Sequence, residues 1–134
     1  MAGYSGTPLE RKLGIKPGAR IAVVGGPPGF AASLELPDGA TIKPRLGGRV
    51  DLILFFTVAR VDLARRLPAF SQAVAPAGAV WVAWPKRTAK VSTDLTEDAV
   101  REVALPLGLV DTKVCAIDDI WSGLRLVWRL SERH

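Results

Sequence analysis

Glycines that follow an apolar run are the first residues in this sequence with a chemical use. The run 21–24 is followed by Gly25, Gly26 and Gly29, with Phe30 immediately after. A glycine loop between a strand and a helix lets backbone N–H groups approach a phosphate or nucleotide. The dinucleotide fingerprint needs three spaced glycines, and valine occupies the first position here. Two interpretations therefore stay open, a loop that cradles a ligand and a plain turn stiffened by proline.

Basic residues near position 45 offer a second chemistry. Lys43, Arg45 and Arg49 follow a weak strand pattern, at the place where dinucleotide-binding folds meet a ribose 2′-phosphate. The alternative is a solvated basic edge strand, whose charges deter pairing with another sheet. The pattern keeps a phosphorylated ligand open.

Aromatic and polar residues at predicted strand ends add further candidates. Trp84 and Lys86 end an apolar run, where Trp84 could stack on a ring and Lys86 could neutralise its charge. Otherwise the indole packs under the next loop and the ammonium is merely exposed. Thr57 ends another run. Trp121 lies at a predicted hairpin corner, where it either packs or faces a ligand.

Carboxylates could supply metal ligands or acid and base groups if folding gathers them. Asp94, Asp118 and Asp119 are the candidates, although turn formation and helix capping are the commoner explanation for such residues. Cys115 is the only cysteine and His134 the only histidine. This scarcity excludes a disulfide within the chain, cysteine or histidine zinc sites, and catalysis that needs an internal imidazole. We expect no metal site and assign no catalytic residue.

Length and charge define the class of protein. The chain has 134 residues, 49% of them hydrophobic, enough for one packed domain over 1–134, with 1–18 as a helical lead-in. Residues 1–67 hold ten Lys or Arg and five Asp or Glu, whereas 68–134 hold eight of each. The bases are spread widely, so we expect a small anionic ligand rather than nucleic acid. Without an apolar span or signal peptide, we expect a cytoplasmic location. The oligomeric state stays open.

The elements that must position these residues are strands and helices in alternation. Strands are predicted at 20–25, 41–46, 51–57, 79–85, 110–118 and 123–130. The first, third and fourth are apolar on both faces, as buried parallel strands are, and the last two alternate like an antiparallel hairpin. In chain order we predict 2-1-3-4-6-5 across a mixed six-stranded sheet. The fold class is α/β, a Rossmann-like three-layer domain.

Helices are predicted between the strands. Thr7 and Glu10 have capping-box spacing for a helix at 8–13, with proline in its first position. A brief helix is expected at 30–34 and a longer one at 60–75, which Pro68 should kink or split. Thr96 is expected to cap a helix whose apolar residues recur at helical spacing up to 107.

Three segments resemble the later part of Rossmann-like methyltransferases. Residues 50–55 look like the fourth strand of such enzymes, 75–82 like the fifth strand with its entry, and 108–110 like the start of the sixth. More narrowly, residues 7–18, 81–86, 94–111 and 121–126 resemble a small bacterial domain family of unknown function. The resemblance implies a truncated methyltransferase-like fold and brings no established activity.

The cofactor expectation depends on two positions. Methyltransferases carry an acid at the first strand and another at the end of the second strand, which holds the ribose hydroxyls. Here the first strand runs into Gly25, and Lys43 and Arg45 occupy the second position. The sequence therefore argues against adenosylmethionine and identifies no other cofactor.

A ligand is expected in the crevice between the first and third strands, at their carboxyl ends. It should bring together Gly25, Gly26, Gly29, Phe30, Thr57, Trp84 and Lys86, and the further candidate binding residues are Arg45, Asp94 and Trp121. The N-terminal excess of bases favours an anion. The leading interpretation is a binding or interaction module without catalysis, for a small anionic or nucleotide-like ligand. The alternative is an enzyme, either a reduced adenosylmethionine-dependent methyltransferase or one that uses a nucleotide.

Overall fold

Apolar runs that the sequence predicts as strands form one mixed sheet. The computed structural model describes residues 7–132. Its strands are β1 (Arg20–Val24), β2 (Thr41–Lys43), β3 (Val50–Phe56), β4 (Val74–Pro85), β5 (Leu109–Ala116) and β6 (Trp121–Trp128). They lie in the order β2-β1-β3-β4-β6-β5, which confirms the predicted order.

Strand direction also agrees with the apolar patterns. β1 pairs in parallel with β2 and β3, and β3 pairs in parallel with β4. β6 is antiparallel to both β4 and β5, so the chain ends in a hairpin inserted beside the parallel strands. The continuous apolar strands lie at the centre of the sheet, because only there are both faces of a strand covered.

Helices cover both faces of this sheet. They are α1 (Leu9–Leu13), α2 (Phe30–Ser33), α3 (Arg60–Ala73) and α4 (Glu97–Ala104), with short 3-10 turns at Arg87–Ala89, Leu105–Leu107 and Leu130–Glu132. One core joins α3 and α4 to the sheet through Leu63, Phe70 and Val100. The other joins α1 and α2 through Leu13 and Phe30. The result is three layers. No helix within residues 7–132 has the length and apolar character that crossing a bilayer requires.

The start of α1 differs from the prediction. The helix begins at Leu9, and Pro8 occupies the N-cap position with extended backbone angles, one residue later than expected. The Glu10 carboxylate accepts a hydrogen bond from the Glu35 N–H at 2.6 Å, so it ties α1 to the segment after α2. Residues 1–6 of the predicted lead-in and His134 lie outside the described residues.

Other predicted features of the elements also differ, and β5 and β6 lie one or two residues earlier than predicted. α3 is continuous through Pro68, so the proline does not split it. β2 ends at Lys43 and forms an edge, as its proline required. β4 begins at Val74, five residues before the predicted start, because Val74 pairs with Val50 across a register shift. By contrast, Thr96 caps α4 as predicted, its Oγ1 accepting from the Ala99 N–H at 3.1 Å.

An arginine network fastens α4 to β5. The Arg101 guanidinium donates to the Asp111 carboxylate at 2.8 Å and to Asp98 at 2.9 Å, and it also contacts Glu97. The hydrogen bond from Arg101 holds the pKa of Asp111 below its ordinary value. The Asp111 carboxyl is therefore charged in the folded protein at pH values where the unfolded chain begins to bind a proton.

Acid should weaken the protein partly through this carboxyl. Since the folded pKa of Asp111 is lowered, its contribution to stability is complete above the unfolded pKa of about 3.9 and is lost as pH falls through the folded pKa. We expect Asp111→Asn to cost about 1 kcal/mol at neutral pH and to flatten the acid limb of the stability curve. Urea unfolding between neutral pH and pH 3 measures both effects. The exposed Asp119→Asn serves as a control, and an equally flattened curve for that variant would remove Asp111 as the cause.

Candidate functional site

A cavity opens at the carboxyl ends of β1 and β2, and we call it the glycine cavity. Its volume is about 590 Å³. Nine residues line it: Val23, Gly25, Gly26, Pro27, Gly29, Ala31, Ala32, Ile42 and Pro44. All nine are uncharged, so its polar groups are those of the backbone. The lining suits a flat, largely neutral group more than a bare anion.

Gly25 and Gly29 allow the loop after β1 to take this course. Gly25 has a φ of +73°, and a Cβ there would lie 2.8 Å from the Phe56 carbonyl oxygen. The loop can therefore cross the end of β3 only with glycine at this position. Gly29 has a φ of +79°, but a Cβ there would meet nothing within 4 Å. Gly25 is needed for close packing, whereas Gly29 is needed only for the turn into α2.

Three aromatic rings fill the space beside this loop. Phe30 and Phe56 meet edge to face with centroids 4.9 Å apart, and Phe56 meets Trp121 in the same way at 5.0 Å. Phe30 is only 9% exposed. Phe30 and Trp121 therefore contribute packing at the end of β3, and neither lines the glycine cavity. The open volume lies over β1 and β2, beside the crevice expected between β1 and β3.

The Thr57 side chain forms its hydrogen bonds with residues that follow it closely in the chain. Its Oγ1 donates to the Asp62 carboxylate at 2.8 Å and accepts from the Ala59 N–H at 3.3 Å. Its backbone N–H donates to the Ala83 carbonyl at 3.0 Å. At 5% exposure, Thr57 holds the start of α3 against the sheet and does not line the glycine cavity.

Trp84 lies on the opposite face of the sheet. It packs in the core beneath α3 and α4 and forms part of a separate cavity of about 400 Å³, next to Thr96 and Glu97. Lys86 is half-buried, and its backbone N–H donates to the Ile120 carbonyl at 2.7 Å. Lys86 lines neither this cavity nor the glycine cavity.

Two of the candidate carboxylates, Asp94 and Asp118, act as a helix cap and a turn former. Asp94 accepts from the Arg60 N–H at 2.7 Å and so caps α3. Asp118 accepts from the N–H groups of Ile120 and Trp121, each at 2.8 Å, inside the hairpin turn. Within residues 7–132, no three Asp, Glu, His or Cys side chains gather as metal ligands would.

The basic residues Lys43 and Arg45, at and after the end of β2, do not face the glycine cavity. Lys43 pairs with Ala22, which belongs to the core beneath α3 and α4, whereas Ile42 pairs with Ile21 on the other face. Side chains alternate along a strand, so Ile42 faces the glycine cavity and Lys43 faces away. Arg45 is exposed and does not line the cavity.

The structure thus brings together three of the ten predicted site residues, Gly25, Gly26 and Gly29. Sequence reasoning missed the apolar wall made by Val23, Ala31, Ala32, Ile42 and Pro44. The alternation of β2 was a usable signal for Ile42. No local pattern indicated that Ala31 and Ala32 would face the end of β2, because that contact depends on where α2 packs.

The strand order, the antiparallel hairpin beside the parallel strands and the helices on both faces define a Rossmann-like fold of the methyltransferase type. No protein-family model matches the sequence, and no curated protein matches it either. The assignment of the fold therefore depends on the strand order and strand directions, not on sequence similarity.

Solved structures with this fold include three informative neighbours. A SAM-dependent methyltransferase from Aquifex aeolicus has a TM-score of 0.66 at 12% identity, over 87% of this chain and 85% of that one. The fibrillarin pre-rRNA processing protein of Methanococcus jannaschii has a TM-score of 0.64 at 16% identity, over 85% and 68%. Magnesium protoporphyrin IX methyltransferase from Synechocystis PCC 6803, with bound SAM, has a TM-score of 0.58 at 10% identity, over 90% and 74%. At these identities the likeness concerns the fold alone.

Proposed function

We propose that this protein binds a small nucleoside-containing molecule in the glycine cavity. The observation that carries the proposal is the cavity itself, about 590 Å³ at the carboxyl ends of two parallel strands. Open α/β sheets bind ligands at that edge, and cavities of roughly 300–1,000 Å³ suit small molecules. The apolar wall of Ile42 and Pro44 offers a surface for a base, and the glycine backbone offers N–H and C=O groups to a sugar.

Adenosylmethionine fits this cavity only in part. The fold neighbours with bound SAM support it as a candidate, and the glycine loop suits close backbone approach. However, no carboxylate lines the cavity, and β2 runs into Lys43, Pro44 and Arg45, so a carboxylate to hold the ribose hydroxyls is missing from the lining. We therefore derive no methyl-transfer step and place ligand binding first.

Methyl transfer from SAM is the second candidate function. It is favoured by the match to 85% of the length of the Aquifex aeolicus enzyme. The two candidates share the glycine cavity and differ in the fate of the bound molecule. A binding module holds the nucleoside unchanged, whereas a methyltransferase converts SAM to its demethylated product, SAH, when an acceptor is present.

The test of ligand binding compares two alanines on different helices. Ala32 lines the cavity, and Ala64 is exposed on α3, away from it. We expect adenosine or SAH to raise the melting temperature of the wild type, since a ligand at about 100 times its Kd adds about 2.7 kcal/mol to stability. Ala32→Phe should abolish that shift by filling the cavity, and Ala64→Phe should retain it.

Two results would contradict nucleoside binding in the glycine cavity, and a third would favour the methyltransferase. If adenosine, AMP, SAM and SAH all fail to raise the melting temperature, the nucleoside proposal is wrong. An equal loss of the shift in both phenylalanine variants would place the ligand outside the glycine cavity. Formation of SAH from SAM by the wild type but not by Ala32→Phe would favour the methyltransferase.

A further inference from the structure

A second cavity lies on the face of the sheet opposite to the glycine cavity, and we call it the tryptophan cavity. Its volume is about 400 Å³, which is enough for a small molecule. The end of β4, the 3-10 turn that follows, the loop before α4 and the start of α4 surround it. The two cavities have no described lining residue in common, so each can hold its own ligand.

Two threonines hold the walls of the tryptophan cavity in place. The Thr93 Oγ1 donates to the Val58 carbonyl at 2.6 Å and accepts from the Leu95 N–H at 3.1 Å. Thr96 caps α4 through its own Oγ1. Because these hydroxyls are already bonded within the fold, the cavity is formed before any ligand enters, and the polar groups that a ligand can use belong to other residues.

The indole N–H of Trp84 is a buried donor that lacks a partner. The residue is only 6% exposed, and its Nε1 makes no hydrogen bond within residues 7–132. The two other buried tryptophans, Trp81 and Trp128, donate to backbone carbonyls instead. In this part of the chain, every side-chain nitrogen or oxygen that is sealed from solvent has a partner. The Trp84 N–H therefore reaches open space, and the tryptophan cavity is the opening that this side chain lines.

Charges of opposite sign line the tryptophan cavity. The exposed Arg87 guanidinium makes no hydrogen bond or ion pair with the described residues. Glu97 contacts the Arg101 guanidinium. That guanidinium also bonds to Asp98 and Asp111, so one positive charge is shared by three carboxylates. The Glu97 carboxylate therefore keeps negative charge for a further partner.

We propose that the tryptophan cavity binds the zwitterion of an apolar amino acid. The carboxylate of the ligand accepts from the Arg87 guanidinium and the Trp84 N–H, and its ammonium group pairs with Glu97. The apolar side chain of the ligand packs on the rest of the wall, which includes Pro85, Val91 and Leu95. This site is independent of the nucleoside proposed for the glycine cavity.

Other classes of ligand satisfy fewer of these groups. A phosphate monoester carries two negative charges, of which Arg87 can balance only one, and Glu97 repels it. A neutral apolar molecule leaves the Trp84 N–H and both charges without partners. A molecule with one carboxylate, one ammonium group and an apolar body uses all of these groups.

Phenylalanine is the probe, measured by titration calorimetry at constant ionic strength. We expect Arg87→Gln and Glu97→Gln each to weaken binding about tenfold, since each removes a charge-assisted hydrogen bond. Trp84→Phe keeps an aromatic ring but removes the N–H donor, and it should weaken binding about fivefold. Arg87 is exposed, so its variant tests the site even if Trp84→Phe does not fold.

Two matched variants control for a general effect of charge. Asp98→Asn removes a carboxylate that binds the same arginine as Glu97 but does not line the cavity. Arg45→Gln removes an exposed arginine that follows the edge strand β2. Both should change the affinity less than about twofold. Losses equal to those of Glu97→Gln and Arg87→Gln would overturn the proposal, because they would indicate diffuse electrostatic effects.

Analogues of phenylalanine test which of its groups are recognised. 3-Phenylpropionate lacks the ammonium group and phenethylamine lacks the carboxylate, so we expect each to bind at least about tenfold more weakly. Binding of either analogue as tight as that of phenylalanine would overturn the proposal, as would the absence of phenylalanine binding to the wild type. Ala32→Phe must leave phenylalanine binding unchanged, because a loss there would place the amino acid in the glycine cavity.

Discussion

Replacing Trp81 with alanine is expected to lower the free energy of unfolding by about 4 kcal/mol. The indole is fully buried at the centre of β4, and its Nε1 donates to the Leu13 carbonyl at 3.0 Å. It therefore fills the core beneath α1 and also holds the end of that five-residue helix against the sheet. Urea unfolding followed by circular dichroism measures the loss.

A milder variant separates packing from the hydrogen bond. Trp81→Phe keeps most of the ring but removes the donor to Leu13, so we expect a loss of about 2 kcal/mol. Trp121→Phe is the comparison, because Trp121 is only half-buried and meets Phe56 at its edge. If the two phenylalanine variants lose the same stability, the Trp81 indole does not anchor α1.

Replacing Gly25 with alanine should be the most damaging change in the glycine loop, at about 3 kcal/mol. The alanine would be destabilised in two ways. Its backbone would be strained at a φ of +73°, and its Cβ would clash with the Phe56 carbonyl oxygen 2.8 Å away. That oxygen belongs to backbone at the end of β3, so it cannot move aside as a flexible side chain would. Thermal and urea unfolding measure the cost.

Gly29→Ala is the matched control for this clash. Its φ of +79° imposes nearly the same backbone strain, yet its Cβ would have no neighbour within 4 Å. We expect it to cost about 1 kcal/mol, the usual penalty for an alanine in the left-handed region. Similar losses for the two variants would show that the close approach of the loop to β3 is unimportant.

The architecture could be predicted from local pattern because each pattern reports how many faces of an element are covered. Continuous apolar runs at 21–24 and 52–56 indicated strands buried on both faces, and alternation in the last third indicated a half-exposed hairpin. Thr96 capped α4 as predicted because a side-chain cap needs only residues three apart. Such signals involve residues a few positions apart, so the local structure that they predict is also found in the folded protein.

Local signals failed to indicate the tertiary partners of polar groups. Glu10 has the spacing of a capping box, yet nothing near it in sequence indicated that its carboxylate would accept from the Glu35 N–H. Asp94 was a candidate ligand for a metal, but the first free N–H of α3 takes it instead. In both cases the partner lies at least 25 residues away along the chain, so a local sequence pattern cannot predict the hydrogen bond.

The sequence by itself determined the class of fold, the order of the strands and the loop of glycines after β1. From its single cysteine and single histidine we expect no zinc site and no imidazole catalysis, and this stays a prediction. Only the tertiary structure decided which faces the side chains occupy and which loops meet. Trp84 lies near the end of β4 and Gly26 follows β1, yet they lie on opposite faces of the sheet. Lys16 and Arg125 come from opposite ends of the chain and line one cavity. Periodicity fixes the direction of a side chain relative to its own strand, whereas the meeting of distant loops depends on how the whole core packs.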